Sequence, residues 1–202
     1  MVVWTLAGWL LWSVVVLVLR NRIHLRSTGR SAIFVRETSR MGARVRFAGL
    51  LLVLGKALVP GTMLAVGCGW PLWWDSSAPV ARAAAFAVFA VGLAGTFGCQ
   101  LAMRASWRIG IDHASRTELV TDGPFRYSRN PIYAFVILSA AALFLALPCV
   151  WSLAAVVLVG IGFALHVRWA EEPFLRERYG EQYTRWAAQV GRFLPWFGRQ
   201  RE

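Results

Sequence analysis

Five apolar runs, at residues 2–19, 47–69, 80–103, 132–147 and 150–167, constrain this chain more than any other feature. The first is long enough to cross a hydrocarbon layer of about 30 Å at a rise of about 1.5 Å per residue, and the others repeat the pattern. Only Pro148 and Cys149 separate the last two, so those spans form a tight hairpin. With 57% hydrophobic residues and eleven tryptophans, the chain lies outside the range of ordinary soluble domains. The expected fold class is all-α, an integral membrane bundle of about five helices. No linker, repeat or low-complexity tract divides residues 1–202, which read as a single unit. The first run lacks a basic leader and a small-residue cleavage site, so it is expected to stay as a span.

A net charge of +12 would suggest a nucleic-acid partner in a soluble protein, but here its placement decides the matter. All basic residues except Lys56 and Arg82 fall in residues 20–46, 104–131 and the tail from 168 onward. Five spans put those segments on one side. The positive-inside rule makes that side cytoplasmic, with the N-terminus outside and the C-terminus inside. The opposite loop, "WPLWWDSSAP", carries the tryptophans of an interfacial belt. Residues 20–46 read as a topology signal touching anionic headgroups. Cys68, Cys99 and Cys149 show no metal-ligand spacing and read as packing residues. Lys56, the only lysine, falls mid-span, where it either faces a substrate tunnel or sits between helices. His24 and His113 have no evident partner, and His166 reads as a packed or interfacial residue rather than a base.

Polar chemistry collects in two places. In "DGPFRYSRNPIYAF", residues 122–135, Asp122-Gly123-Pro124 is a turn sequence, and Asn130-Pro131 reads as an N-cap followed by proline at the first helical position. The amides and positive dipole end of the fourth span then stand beside Arg126 and Arg129, a site suited to an anionic group. Tyr127 and Tyr133 add flat surfaces with hydroxyl tips. The second cluster is the tail at residues 166–195, where Phe174, Tyr179, Tyr183, Trp186 and Val190 recur at steps of three to five. An amphipathic helix on the membrane face is expected there, with a first short helix ending at Gly180. Glu171 and Glu172 have two readings. Glu172 pairs locally with Arg176 at i, i+4, or the hairpin brings both carboxylates to the Asn130 end of the fourth span.

The blocks "SWRIGID", "LVTDGPFRYSRNPIY" and "EEPFLRERYGEQYTRWAAQVGRFLP" resemble those of isoprenylcysteine carboxyl methyltransferases and the related phospholipid methyltransferases, integral membrane enzymes that use S-adenosylmethionine. The resemblance covers residues 106–195, and the catalytic part is expected at about 104–195. It implies a cofactor pocket of Arg129, Asn130, Pro131, Tyr133, Glu171 and Glu172, with Tyr133 or Trp169 against the cofactor's ring. Asn130 stands where many members have histidine, so a capping role carries over and an imidazole role does not. Arg126, Arg168 and Glu172 are the expected catalytic residues, with Arg126 or Arg168 clamping the acceptor. The implied acceptor is a lipophilic molecule from the bilayer, most like an isoprenylcysteine carboxylate, and the reaction requires neither metal nor nucleic acid. Alternatives are phospholipid N-methylation, an NADPH-dependent sterol-type reductase with a similar late block, and a non-enzymatic lipid-binding protein.

Overall fold

The computed structural model describes residues 1–32, 42–110 and 117–200; His113 and residues 33–41 of the basic segment lie outside these. Among the described residues the regular structure is helical. Helix α1, Val2–Thr28, runs out of the apolar layer into the arginine-rich surface and ends at Gly29. Helix α2, Ala43–Gly67, and α3, Pro79–Ala102, have the length and composition to cross a membrane. So does α5, Val150–Tyr179, while the fourth apolar helix, α4, Pro131–Ala146, is shorter. The five expected runs thus correspond to four long apolar helices and one short one. Gly180, at φ +53, breaks the chain before α6, Glu181–Gln189, as the sequence indicates.

Two antiparallel pairs, α3 against α4 and α2 against α5, are joined through the α4–α5 hairpin. Small residues make these pairings close. A Cβ on Gly92 of α3 would meet the Ser139 backbone nitrogen of α4 at 2.8 Å, and one on Gly55 of α2 would meet that of Val159 in α5 at 3.0 Å. In lipid, where burying apolar surface gives helices little reason to associate, such backbone approach supplies the dispersion contacts that hold them. The core gathers Met63, Ala85, Leu143, Leu147 and Ala155. At the hairpin end the Trp73 amide donates to Pro148 O at 2.7 Å, Trp73 and Trp74 pack edge-on against Phe144, and Trp70 packs on Trp151. The tryptophans of the "WPLWWDSSAP" loop thus gather at the hairpin turn.

Helix α1 crosses the bundle more loosely and leaves a cavity of about 580 Å³ lined by Trp4, Trp9, Trp12, Lys56, Phe89 and Leu143 among others. At its polar end His24 packs edge-on against Trp107, and Arg20 reaches the end of α3. Buried Arg20 donates from Nε and Nη2 to Gln100 O at 3.2 and 3.1 Å and from Nη2 to Arg104 O at 2.7 Å, with its guanidinium 4.5 Å from the Trp107 ring centroid. Arg20 therefore caps the carbonyl end of α3. This corrects its reading as a headgroup contact.

Candidate active site

The sequence places proline at the first position of α4, and the helix does begin at Pro131. The Asn130 side chain, however, makes no capping hydrogen bond. It donates instead to Arg192 O at 3.0 Å, and so does the Asn130 amide, also at 3.0 Å. The Arg129 amide donates to Gly191 O at 2.8 Å, and Ser128 pairs with Gly191 in a parallel bridge. The segment before α4 is thus bound to the tail after α6. With its cap diverted, α4 keeps the positive end of its dipole uncompensated by a side chain.

Arg129 and Glu172 lie under this contact, with side chains only 2% and 7% exposed. Arg129 Nη2 donates to Glu172 Oε1 at 2.8 Å and to Gly198 O at 3.1 Å, and Nη1 donates to Ala187 O and Val190 O at 2.8 and 2.6 Å. Arg192 reaches the same carboxylate from the other side, Nε to Oε1 at 2.8 Å and Nη2 to Oε2 at 2.9 Å. The buried charge of Glu172 is therefore shared by two cations through three charge-assisted bonds, which offset the cost of removing it from water. The Glu172 carboxylate in turn holds Arg192 above the ordinary arginine value. The local pairing of Glu172 with Arg176 does not form; Arg176 donates to the Gln200 side chain.

Glu171 has different surroundings. The Tyr133 hydroxyl donates to its Oε1, and His166 Nε2 lies 3.5 Å from the same oxygen. Tyr133 stacks on Phe163, ring centroids 4.2 Å apart and planes 18° from parallel. A π-helical turn at Val167–Glu171 makes this arrangement. Its i to i+5 geometry brings residue 171 back over residue 166, which ordinary helical spacing does not do. Glu171 stays 23% exposed, so one carboxylate is sealed by arginines and its neighbour opens to the surface.

The structure therefore brings together Arg129, Asn130, Pro131, Tyr133, Glu171 and Glu172. Arg126 and Arg168 are exposed, and neither forms an ion pair with a described residue. Trp169 packs with Val45, Ala170 and Phe174 rather than with Tyr133. Sequence reasoning missed the positions of Arg192, Phe163 and His166. The "VGRFLP" block contained Arg192, but nothing in its spacing points to Glu172.

Two buried atoms here, Arg129 Nε and His166 Nδ1, lack a hydrogen-bond partner. Buried polar groups are normally satisfied, so such atoms beside a half-open carboxylate and an uncapped helix end are what a polar ligand would complete.

A polytopic helical membrane protein with a polar cluster at one end of its hairpin is the class that fold and site define. A family model described as phospholipid methyltransferase matches residues 80–182, from α3 through the first residues of α6. The chain belongs to that family, and so to the membrane methyltransferases that use S-adenosylmethionine. Comparison with curated proteins and with solved structures returned no match.

Proposed function

We propose that the chain transfers a methyl group from S-adenosylmethionine to a lipophilic acceptor arriving from the bilayer, most like the carboxyl O-methylation of an isoprenylcysteine. The carrying observation is the juxtaposition of half-open Glu171, the Tyr133–Phe163 stack and the unpartnered Arg129 Nε at the start of α4. S-adenosylmethionine supplies a methyl group already activated on a sulfonium. Glu171 suits its ammonium or ribose hydroxyls, Arg129 Nε and the α4 amides its carboxylate, and the aromatic pair its adenine. Glu172 serves by fixing Arg129 and Arg192 rather than by meeting the ligand, since both its oxygens are engaged.

In-line displacement at an activated carbon asks chiefly for alignment and exclusion of water. A carboxylate acceptor, with a reference pKa of about 3.3 to 3.7, is ionised at neutral pH and needs a cationic clamp but no base. Exposed Arg126 and Arg168 suit that clamp. The positive-inside distribution puts this face toward the cytoplasm and the N-terminus outside.

A specific observation favours a second reading, N-methylation of a phospholipid amine. An ammonium acceptor must lose a proton before it attacks. His166, whose Nε2 lies 3.5 Å from Glu171 Oε1, is the imidazole at this cluster suited to take it.

Calorimetry on the purified protein in mild detergent, with S-adenosylmethionine, S-adenosylhomocysteine and NADPH, tests the class. The expected result is micromolar binding of the first two and none of the third. NADPH binding alone would establish a reductase, and no binding at all would leave a lipid-binding protein. Product analysis with carboxylate and amine acceptors then separates the two methylation readings.

A further inference from the structure

The tail beyond α6 does more than close the site. After Gly191 the chain turns back on itself: the Arg192 amide donates to Phe197 O at 2.7 Å and the Phe197 amide to Leu194 O at 3.3 Å. Trp196 is held at φ +64, in the left-handed region that a bulky side chain rarely adopts. The result is a hook whose side chains point away from the protein, Leu194 at 59%, Trp196 at 73% and Phe197 at 77% exposure. This is the exposure of side chains on the apolar helices themselves, such as Leu64 at 70% and Val80 at 81%.

The depth of the hook follows from α4. Its 16 residues span about 24 Å, short of a hydrocarbon layer of about 30 Å. The far end of the hairpin is fixed at the interface by the belt of Trp70, Trp73, Trp74 and Trp151. Most of the shortfall therefore appears at the other end, and Asn130 lies below headgroup level or draws the bilayer thinner. Arg192 is hydrogen-bonded to Asn130, so the hook leaves the protein at that same depth. Exposed Arg199 follows it and suits anionic headgroups.

We propose that residues 193–197 are inserted into the leaflet at which α4 begins, with lipid acyl chains as the occupant of their apolar surface, and that this insertion holds the tail on the Arg129–Glu172 cluster. The clamp on the site is then completed by the membrane. Removing lipid then loosens Gly198 O from Arg129 and Arg192 from Glu172. This inference depends on the membrane fold and not on the methyl-transfer reading.

The test places a nitroxide on the full-length protein in vesicles of phosphatidylcholine and phosphatidylglycerol. Cys99 and Cys149 are buried, so Cys68→Ser suffices as the parent. Leu194→Cys and Phe197→Cys are labelled separately, with Val53→Cys as a lipid-facing reference and Arg185→Cys as a water-facing one. Unfolding curves matching the parent certify each variant. The expected result is high collision with oxygen and low collision with a nickel chelate at both hook positions, as at Val53. Nickel accessibility equal to that at Arg185 would overturn the proposal by placing the hook in water. Shielding from both reagents would overturn it in favour of a protein partner, including a second copy of this chain.

Discussion

Arg192 meets Glu172 edge to edge, Nε on Oε1 at 2.8 Å and Nη2 on Oε2 at 2.9 Å, while Arg129 takes the same Oε1 from α4's side. The carboxylate joins the segment before α4 to the C-terminal tail through α5. Glu172→Gln leaves two arginines without their counter-charge, one of them buried, and removal of one partner from a buried ion pair costs about 3–5 kcal/mol. The expected outcome is destabilisation of that order in denaturant unfolding in detergent micelles, with earlier proteolysis of the tail. Arg192→Lys gives an intermediate loss, because a lysine cannot reproduce the two parallel bonds.

Substitutions at Tyr133 and Glu171 test the proposed cofactor contact apart from the scaffold. Tyr133→Phe keeps the stack on Phe163 but deletes the hydroxyl that orients Glu171. A hydrogen bond to a charged group contributes about 1.5–3 kcal/mol. Unfolding stability is expected to fall by no more than that amount, and cofactor affinity by roughly tenfold through the lost orientation of Glu171. Glu171→Ala should weaken S-adenosylmethionine at least as much in calorimetry; unchanged affinity would remove Glu171 from the pocket.

Gly191 lies where the hook curls over the tail. A Cβ there would strike the Leu194 carbonyl and approach Phe197 O at 2.8 Å and Phe197 N at 2.9 Å, all backbone atoms that cannot step aside. Gly191→Ala is expected to open the hook, at a cost of about 1–3 kcal/mol for overpacking. Hydrogen exchange at the Arg192 and Phe197 amides checks it, and retained protection there would contradict the packing argument.

Tyr183, 1% exposed, gives the tail an alkaline limit. Burial first, and the Glu172 carboxylate second, push its phenol from 10.0 up to about 12. The unfolded chain releases this proton near pH 10 while the folded chain keeps it, so the contribution of Tyr183 is complete below pH 10 and is lost as pH rises toward 12. The loss amounts to roughly 2–3 kcal/mol at 1.36 kcal/mol per pH unit. Stability of the wild type should therefore fall more steeply than that of Tyr183→Phe across this window, and parallel curves would refute the assignment.

The spans, the start of α4 at Pro131 and the break at Gly180 were legible because each depends on local chemistry: apolar length, a proline without an amide, a glycine at positive φ. The hairpin argument also placed Glu171 and Glu172 at the Asn130 end. The particular partners were hidden. Asn130 reads as a cap, but Arg192 O, 62 residues away, takes its side-chain donor, and no pattern near Asn130 encodes that competition. His166 reads as a packed histidine because the π turn that turns Glu171 onto it leaves no mark in helical periodicity.

Arg20 illustrates the same limit and carries the last prediction. In a run of arginines it reads as a topology signal, yet it donates to both Gln100 O and Arg104 O at the end of α3 and lies over Trp107. Arg104 is itself at φ +48, so the turn Arg20 caps departs from ordinary helical backbone. Because α1 packs loosely elsewhere, loss of this contact should detach its polar end while α2 to α5 stay assembled through their close glycine pairings. Arg20→Ala is therefore expected to raise proteolysis and hydrogen exchange at the end of α1 and at Trp107 without shifting global unfolding by more than the roughly 1.5–3 kcal/mol of a charged hydrogen bond. Arg20→Lys should rescue only part of the protection, since a lysine cannot bridge the two carbonyls with a planar fork. If both variants unfold like the wild type and retain full protection at Trp107, α1 is held by its apolar face and the arginine is no latch.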